Sequence, residues 1–149
     1  MVVRMFNICG ARTPASLVIG GFAQQIVAIE QGAKPVIKTK NLGGQRDFLD
    51  IEDICRGIWM IARKGKRGEL YNLCSGRPAT IRQLLRQMLK RAKVKGIGVQ
   101  ENKQDSSLSF DVIGSNAKLK SIVPWSARVS LERSLENTLA GYRRWTLPS

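Results

Sequence analysis

The chain contains no histidine. That absence excludes Ser-His-Asp and Cys-His nucleophile systems and leaves no donor set for a zinc site, so neither a catalytic residue nor a metal ligand is assigned. Cysteine is scarce too: Cys9, Cys55 and Cys74 are odd in number, show no C-x-x-C spacing, and two lie in apolar contexts. They are expected to be buried thiols in a reducing compartment. No apolar run is long enough to span a bilayer and no charged-then-apolar leader opens the chain, which places the protein in the cytoplasm with no membrane partner. Acidic residues are few, 11 against 25 Lys plus Arg, for a formal charge of +14. Such a surface attracts anions; nucleic acid is the generic partner, but a phosphorylated ligand or an acidic partner fits equally. Aromatics make up only 6%, and Trp59, Trp125 and Trp145 are scattered among expected helices, which speaks against a stacking platform for nucleic acid.

What is present suits one domain. At 149 residues, 43% hydrophobic and 24% charged, the chain can bury a real core. Its organising stretch runs from Gly43 to Gly65, an extended piece turning into a helix. Asp50 suits an N-cap, Asp53 adds negative charge in the first turn, and Gly65 can stop the helix in a left-handed conformation. Ile51, Ile54, Ile58 and Ile61 recur at three- and four-residue steps, so they are expected on one docked face. A helix held that way fixes the turn before it. Arg46 then stands where a guanidinium could clamp a phosphate bidentately, or else it is a surface Arg paired to Asp47 or Asp50.

Elsewhere strands alternate with helices. Met1 to Asn7 is apolar on both faces, as in the interior of a parallel sheet. Phe22, Ile26 and Ile29 mark a helix ending at Gly32, Pro35 to Thr39 a strand, and Glu69 to Leu73 another. Thr80 with Gln83 forms a capping-box pattern ahead of Leu84, Leu85, Met88, Leu89 and Ala92. Arg82, Arg86, Lys90, Arg91, Lys93 and Lys95 form the densest basic run, expected as a solvated face and its exit. Gly96 to Gln100 suits a short strand, Glu101 to Ser109 a polar mobile loop, and Asn116 to Val123 a short helix stopped by Pro124. Ser130 caps a last helix with Leu131, Leu135, Leu139 and Tyr142 on one stripe. The alternation predicts an α/β fold.

Several blocks in this order carry a resemblance: Arg4-Met5-Phe6-Asn7 with Gly10, Phe22-Ala23-Gln24-Gln25-Ile26, Asn41-Leu42, Arg46-Asp47-Phe48-Leu49-Asp50-Ile51 with Asp53, Gly68 to Asn72, and Ser75-Gly76. Gly114 to Leu119, Trp125 and Ser130-Leu131-Glu132 continue it. The chain resembles the C-terminal half of extended short-chain dehydrogenase/reductases, in the NAD-dependent epimerase/dehydratase branch, with the nearest look to GDP-mannose 4,6-dehydratase and GDP-4-keto-6-deoxymannose reductase. The similarity covers nearly the whole chain.

The resemblance implies the C-terminal part of a Rossmann-type fold: terminal sheet strands plus a small mixed α/β lobe that binds a nucleotide-sugar substrate. Residues 1–149 would be one such substrate-binding region, with the dinucleotide-binding half outside it. Carried over, Asn7 contacts the sugar nucleotide, Arg46 meets its pyrophosphate, and Asn41 with Leu42 lines the nucleotide pocket. The chemistry agrees, since a diphosphate wants a fixed guanidinium and an amide both donates and accepts. The plainer alternative for Asn7 is a buried turn amide satisfying backbone groups. The family's glycine-rich cofactor loop has no counterpart, and its Tyr-x-x-x-Lys pair is missing: Ser75 and Thr146 stand four residues after Tyr71 and Tyr142. NAD or NADP is thus expected in the complete enzyme and not on this chain alone. The other half could lie in the same protein or on another chain, and a homo-oligomer is a further option; a separate half would leave an apolar sheet edge beside Val2, Val3 and Met5. A stand-alone basic module for nucleic acid or an acidic partner is the alternative function. Three departures from the family pattern bear on binding: Ala11 replaces proline, Lys40 replaces glycine, and Asp105-Ser106-Ser107-Leu108 stands where an Arg-Pro-x-acid run is usual.

Overall fold

A computed structural model describes residues 1–108 and 110–146. Seven strands and five helices follow in the order β1 (Val2–Met5), β2 (Asn7–Cys9), α1 (Val18–Glu30), β3 (Val36–Lys40), β4 (Gln45–Asp50), α2 (Ile51–Lys64), β5 (Leu70–Leu73), β6 (Pro78–Thr80), α3 (Ile81–Lys90), β7 (Gly98–Asn102), α4 (Ala117–Lys120) and α5 (Leu131–Thr146). A single 3-10 turn, Ser106–Leu108, lies in the polar segment after β7. Parallel pairs join β1 to β5, β2 to β4 and β3 to β7, while β6 runs antiparallel to β4. The expected mixed α/β architecture is therefore present.

The opening apolar run is two strands rather than one. Val2 to Met5 pairs with β5; Phe6 then donates its N–H to Leu73 O at 3.2 Å, and Asn7 to Cys9 crosses to β4. Nor is the first piece interior: Val2 and Met5 remain 56% and 46% exposed. The short β6, three residues beginning with Pro78, carries no alternation that would mark it as a strand. It sits at an edge, where a missing N–H is tolerated.

Strand β4 separates two cores. Phe48 enters one, built by α1, α3 and α5 around Phe22, Ile26, Ile37, Leu84 and Leu135. Leu49, its neighbour, enters the other, built around Ile54, Ile61, Tyr71, Leu73 and Trp125. Alternation along a strand sends successive side chains to opposite faces, and here both faces are covered. Each fully buried Leu or Ile contributes roughly 1.5–3 kcal/mol, so β4 is anchored from both sides.

Helix α2 starts as expected and ends differently. Asp50 is its N-cap, with Oδ1 accepting the Glu52 N–H at 3.0 Å. Gly65 is not left-handed: its φ of −69° and ψ of 142° are extended, and its N–H simply closes on Ile61 O at 2.7 Å. Ile54 and Ile61 are buried, but Ile51 and Ile58 are 44% and 40% exposed. The docked stripe is centred on Ile54, Gly57 and Ile61 instead. Gly57 permits this close approach, since a Cβ there would stand 2.4 Å from Leu73 Cδ1. Asp53 does more than complement the dipole. One carboxylate oxygen takes the N–H groups of Arg128 and Val129, each at 2.9 Å, and the other pairs with Arg56.

Other local expectations hold. Thr80 and Gln83 form a complete capping box on α3, Ser130 Oγ accepts the Arg133 N–H at the start of α5, and Leu135 and Leu139 are fully buried. The basic run is only partly solvated: Arg82 grips Glu101 with both contacts near 3 Å, and Arg91 pairs with Glu136. Among the thiols, Cys9 and Cys74 are buried but Cys55 is exposed, so burial holds for two of the three. Among the described residues no helix is long and apolar enough to cross a membrane.

Candidate functional site

The register of β2 on β4 assembles the site. Asn7 lies opposite Phe48, so Asn7 and Arg46 share one face of adjacent strands although 39 positions apart in sequence (46 − 7). Asn7 Nδ2 donates to Asp47 O at 2.9 Å, which fixes the amide against the strand that carries Arg46. In part this meets the plainer expectation of an amide serving backbone. Yet Asn7 also lines a cavity of about 480 Å³ with Arg4, Phe6, Thr13, Leu17 and Val112. Its walls are mainly apolar, with Arg4, Asn7 and Thr13 supplying the polar groups. Thr13 is itself held, its hydroxyl donating to Gly10 O at 2.8 Å.

Arg46 is neither an open clamp nor paired to Asp47 or Asp50. It is buried at 6% exposure, its guanidinium 4.3 Å from the centroid of the Phe110 ring. Nη1 donates to Gln45 O at 3.1 Å and also to Phe110 O. Burial draws its pKa below the ordinary arginine value, and the nearby Asp111 carboxylate opposes that effect. The arm following β7 makes this enclosure. Val112 forms a parallel bridge with Arg46, Asp47 donates its N–H to Val112 O, and Asp111 Oδ1 accepts the Gln45 N–H at 2.7 Å.

Asn41 and Leu42 do not reach the cavity that holds Asn7. Leu42 is 1% exposed and belongs to the first core; its N–H donates to Glu101 Oε1 at 3.0 Å. Asn41 stitches its loop to the arm, donating from Nδ2 to Lys103 O and from the backbone to Asp105 O, while Oδ1 accepts the Gly43 N–H. Two departures from the expected pattern meet here. Lys40 and Asp105 form an ion pair at 3.4 Å, and the Ser107 hydrogen bonds, then Lys40, hold the Asp105 carboxyl below its ordinary range. The anion at position 105 is thus answered by the cation at position 40.

Residues within the resembling blocks that were assigned no binding role also shape the site. Asp47 is fully buried, and Ser75 and Gly76 donate their N–H groups to its two oxygens at 2.7 Å each. Cys74 O just before them accepts from Asn116 Nδ2 at 3.0 Å and Trp125 Nε1 at 3.3 Å. Burial, reinforced by the Asp47 charge, pushes the Cys74 thiol up to about 11. A buried Asp in a run beginning Arg-Asp-Phe was the available signal. The turn from β2 toward α1, residues 10–17, carries Gly10 as its one glycine.

Residues 1–138 match the family model described as GDP-mannose 4,6 dehydratase. The chain is 29% identical over 144 residues to GDP-6-deoxy-D-mannose reductase of Pseudomonas aeruginosa, covering 95% of this chain and 47% of that protein. It superposes with a TM-score of 0.89 and 27% identity on the structure of RMD from Pseudomonas aeruginosa complexed with NADPH, covering 97% of this chain and 48% of that one. UDP-glucose 4-epimerase from Thermotoga maritima with UDP-glucose shares the fold at TM-score 0.76 and 24% identity, over 99% of this chain and 46% of that one. So does dTDP-glucose 4,6-dehydratase from Bacillus anthracis with NAD, at 0.79 and 23%, over 96% and 44%. The chain spans about half the length of the relatives it matches, and its fold is that of the C-terminal portion of Rossmann-type extended short-chain dehydrogenase/reductases.

Proposed function

The chain belongs to the GDP-mannose 4,6 dehydratase family, and from that premise we propose that it supplies the nucleotide-sugar recognition of an NAD(P)-dependent dehydratase, reductase or epimerase, with a GDP-mannose-type ligand. The observation that carries this is the β2–β4 register, which sets Asn7 beside the Arg46 strand at the edge of a cavity large enough for a hexose. In this reading Asn7 meets the sugar nucleotide and Arg46 its diphosphate, with Asn41 and Leu42 shaping the nucleotide end from beneath rather than by direct contact. A fixed guanidinium suits a diphosphate, and a partly buried one is screened little by salt.

Hydride chemistry falls to a dinucleotide-binding half that residues 1–149 do not contain, and this chain is catalytically incomplete alone. We place that half against the free edge of β1 and the exposed stripe of α2. Val2 and Met5 on β1, and Ile51, Ile58 and Trp59 on α2, are large apolar side chains left exposed there. Such a patch marks an interaction surface. The three free cysteines suit the reducing cytoplasm. The tryptophans form no shared stacking platform for the nucleic-acid alternative, since Trp125 is buried and Trp59 and Trp145 sit beneath Arg63 and Arg12 on separate helices.

The test is a thermal unfolding scan of the chain with and without GDP-mannose, at two salt concentrations and for Arg46→Ala. A cooperative transition raised by the sugar nucleotide and not raised in the variant supports the assignment, because a ligand that binds only the native state must stabilise it. A cooperative transition indifferent to the ligand overturns it for this chain.

A further inference from the structure

We propose that Asp47 is the positioning residue of this site: without touching ligand, it sets Asn7 through the backbone that its own carboxylate fixes. The inference rests on the nucleotide-sugar reading above and deepens it. Asp47 has no exposed surface, and among the described residues no cation pairs with it. Its charge is met by two consecutive amides, Ser75 N–H on Oδ1 and Gly76 N–H on Oδ2, both at 2.7 Å. Gly76 has φ +74°, a conformation that glycine adopts freely and that lets both amides turn toward one carboxylate. Charge-assisted bonds of this length are the strong kind, and a carboxylate buried without a cation cannot afford to lose either.

The loop that donates them cannot drift, because Asn116 and Trp125 hold Cys74 O from the far side. Asp47 is therefore tied through its side chain to a stapled loop and through its N–H to Val112 O at 3.1 Å. Its remaining backbone group, the carbonyl, accepts Asn7 Nδ2 at 2.9 Å. Asn7 thus takes its orientation from a carbonyl that has no freedom to tilt. With Nδ2 engaged there, no described residue donates to Asn7 Oδ1, and the residue lines the 480 Å³ cavity with that acceptor uncommitted. A site whose recognition depends on one amide needs it set in advance, and the chain Ser75–Gly76, Asp47, Asn7 does so.

Titration calorimetry of the full chain with GDP-mannose tests this on four proteins: wild type, Asp47→Asn, Asn7→Ala and the double variant. Each single change is expected to weaken binding by about tenfold, the value of one hydrogen bond to ligand, and the double variant to be no weaker than Asn7→Ala alone. A purely structural Asp47 gives additive losses, roughly a hundredfold in the double variant, and that result overturns the proposal. Failure of the wild type to bind overturns the nucleotide-sugar reading itself, and the inference falls with it. Where Asp47→Asn does not fold, nuclear magnetic resonance of the wild type decides. The Asn7 side-chain amide must shift on adding GDP-mannose while the Ser75 and Gly76 amides stay in place; an unmoved Asn7, or shifting loop amides, overturns the proposal.

Discussion

Arg46 and Phe110, 64 residues apart, are joined twice: the guanidinium stacks on the ring, and the Phe110 carbonyl accepts one of its N–H groups. One nitrogen of the group best suited to a diphosphate is therefore engaged by the chain's own arm. A diphosphate that takes Nη1 as one prong of a bidentate pair displaces the Phe110 carbonyl. Adding GDP-mannose is expected to move the Phe110 amide and ring resonances, with Phe22 in the first core unchanged as the control. Phe110 resonances that stay still through saturation would rule out this displacement.

The cap of α2 is shared with α5, because Ser134 Oγ donates to Asp50 Oδ2 at 2.6 Å while Oδ1 serves the helix. Asp50→Ala removes the cap and strands a buried hydroxyl, for an expected loss of about 2–3 kcal/mol in urea unfolding. Ser134→Ala is expected to cost less than Asp50→Ala, since the cap survives it. Equal losses would show that the hydroxyl bond carries the whole effect.

Thiol labelling separates the cysteines. Cys55 is exposed, whereas burial pushes Cys9 up to about 12 and Cys74 up to about 11, leaving their thiolates negligible near neutrality. One thiol per native chain should react rapidly with a disulfide reagent at pH 8, rising to three in denaturant. Rapid reaction of Cys9 or Cys74 without denaturant would mean that the strand ends open locally.

Glu30 ties α1 to α5 and to the segment after α3, accepting Arg143 at 2.7 and 2.8 Å and the Lys93 N–H at 2.8 Å. The Arg143 hydrogen bond, foremost, lowers its pKa below the ordinary 4.5. A carboxyl with a depressed folded pKa stabilises fully above its unfolded value and loses that stabilisation as pH falls through the folded one. Wild type should therefore exceed Glu30→Gln in stability at neutral pH, with the gap closing below pH 4.5. A gap independent of pH would assign the difference to packing.

Local signals were legible and distant ones were not. The Thr80–Gln83 box and the Asp50 cap involve neighbours within three residues, so the residue types alone imply the geometry. The Asn7 and Arg46 blocks were recognisable as ordered motifs, and their adjacency follows once β2 pairs with β4. What enclosed Arg46 was not legible, because it depends on the path of an arm more than sixty residues downstream. Leu42 goes to the core for a similar reason: its N–H is held by Glu101 of β7, 59 residues downstream. Adjacency in sequence suggests Asp47 as a partner for Arg46, yet alternation along β4 sends the two side chains to opposite faces.

Helix α5 is bound to the loop that follows β2. Thr138 Oγ1 donates to Gly10 O at 3.0 Å and Tyr142 OH to Thr13 O at 2.8 Å, so the loop directly after Asn7 is held by α5. These contacts join residues 128 and 129 positions apart, and contacts of that separation are slow to form. On a ribosome, the loop from Gly10 to Thr13 must wait for α5 to emerge. Until then, the Gly10 and Thr13 carbonyls lack these partners, and that interval is when a nascent chain is most exposed to aggregation.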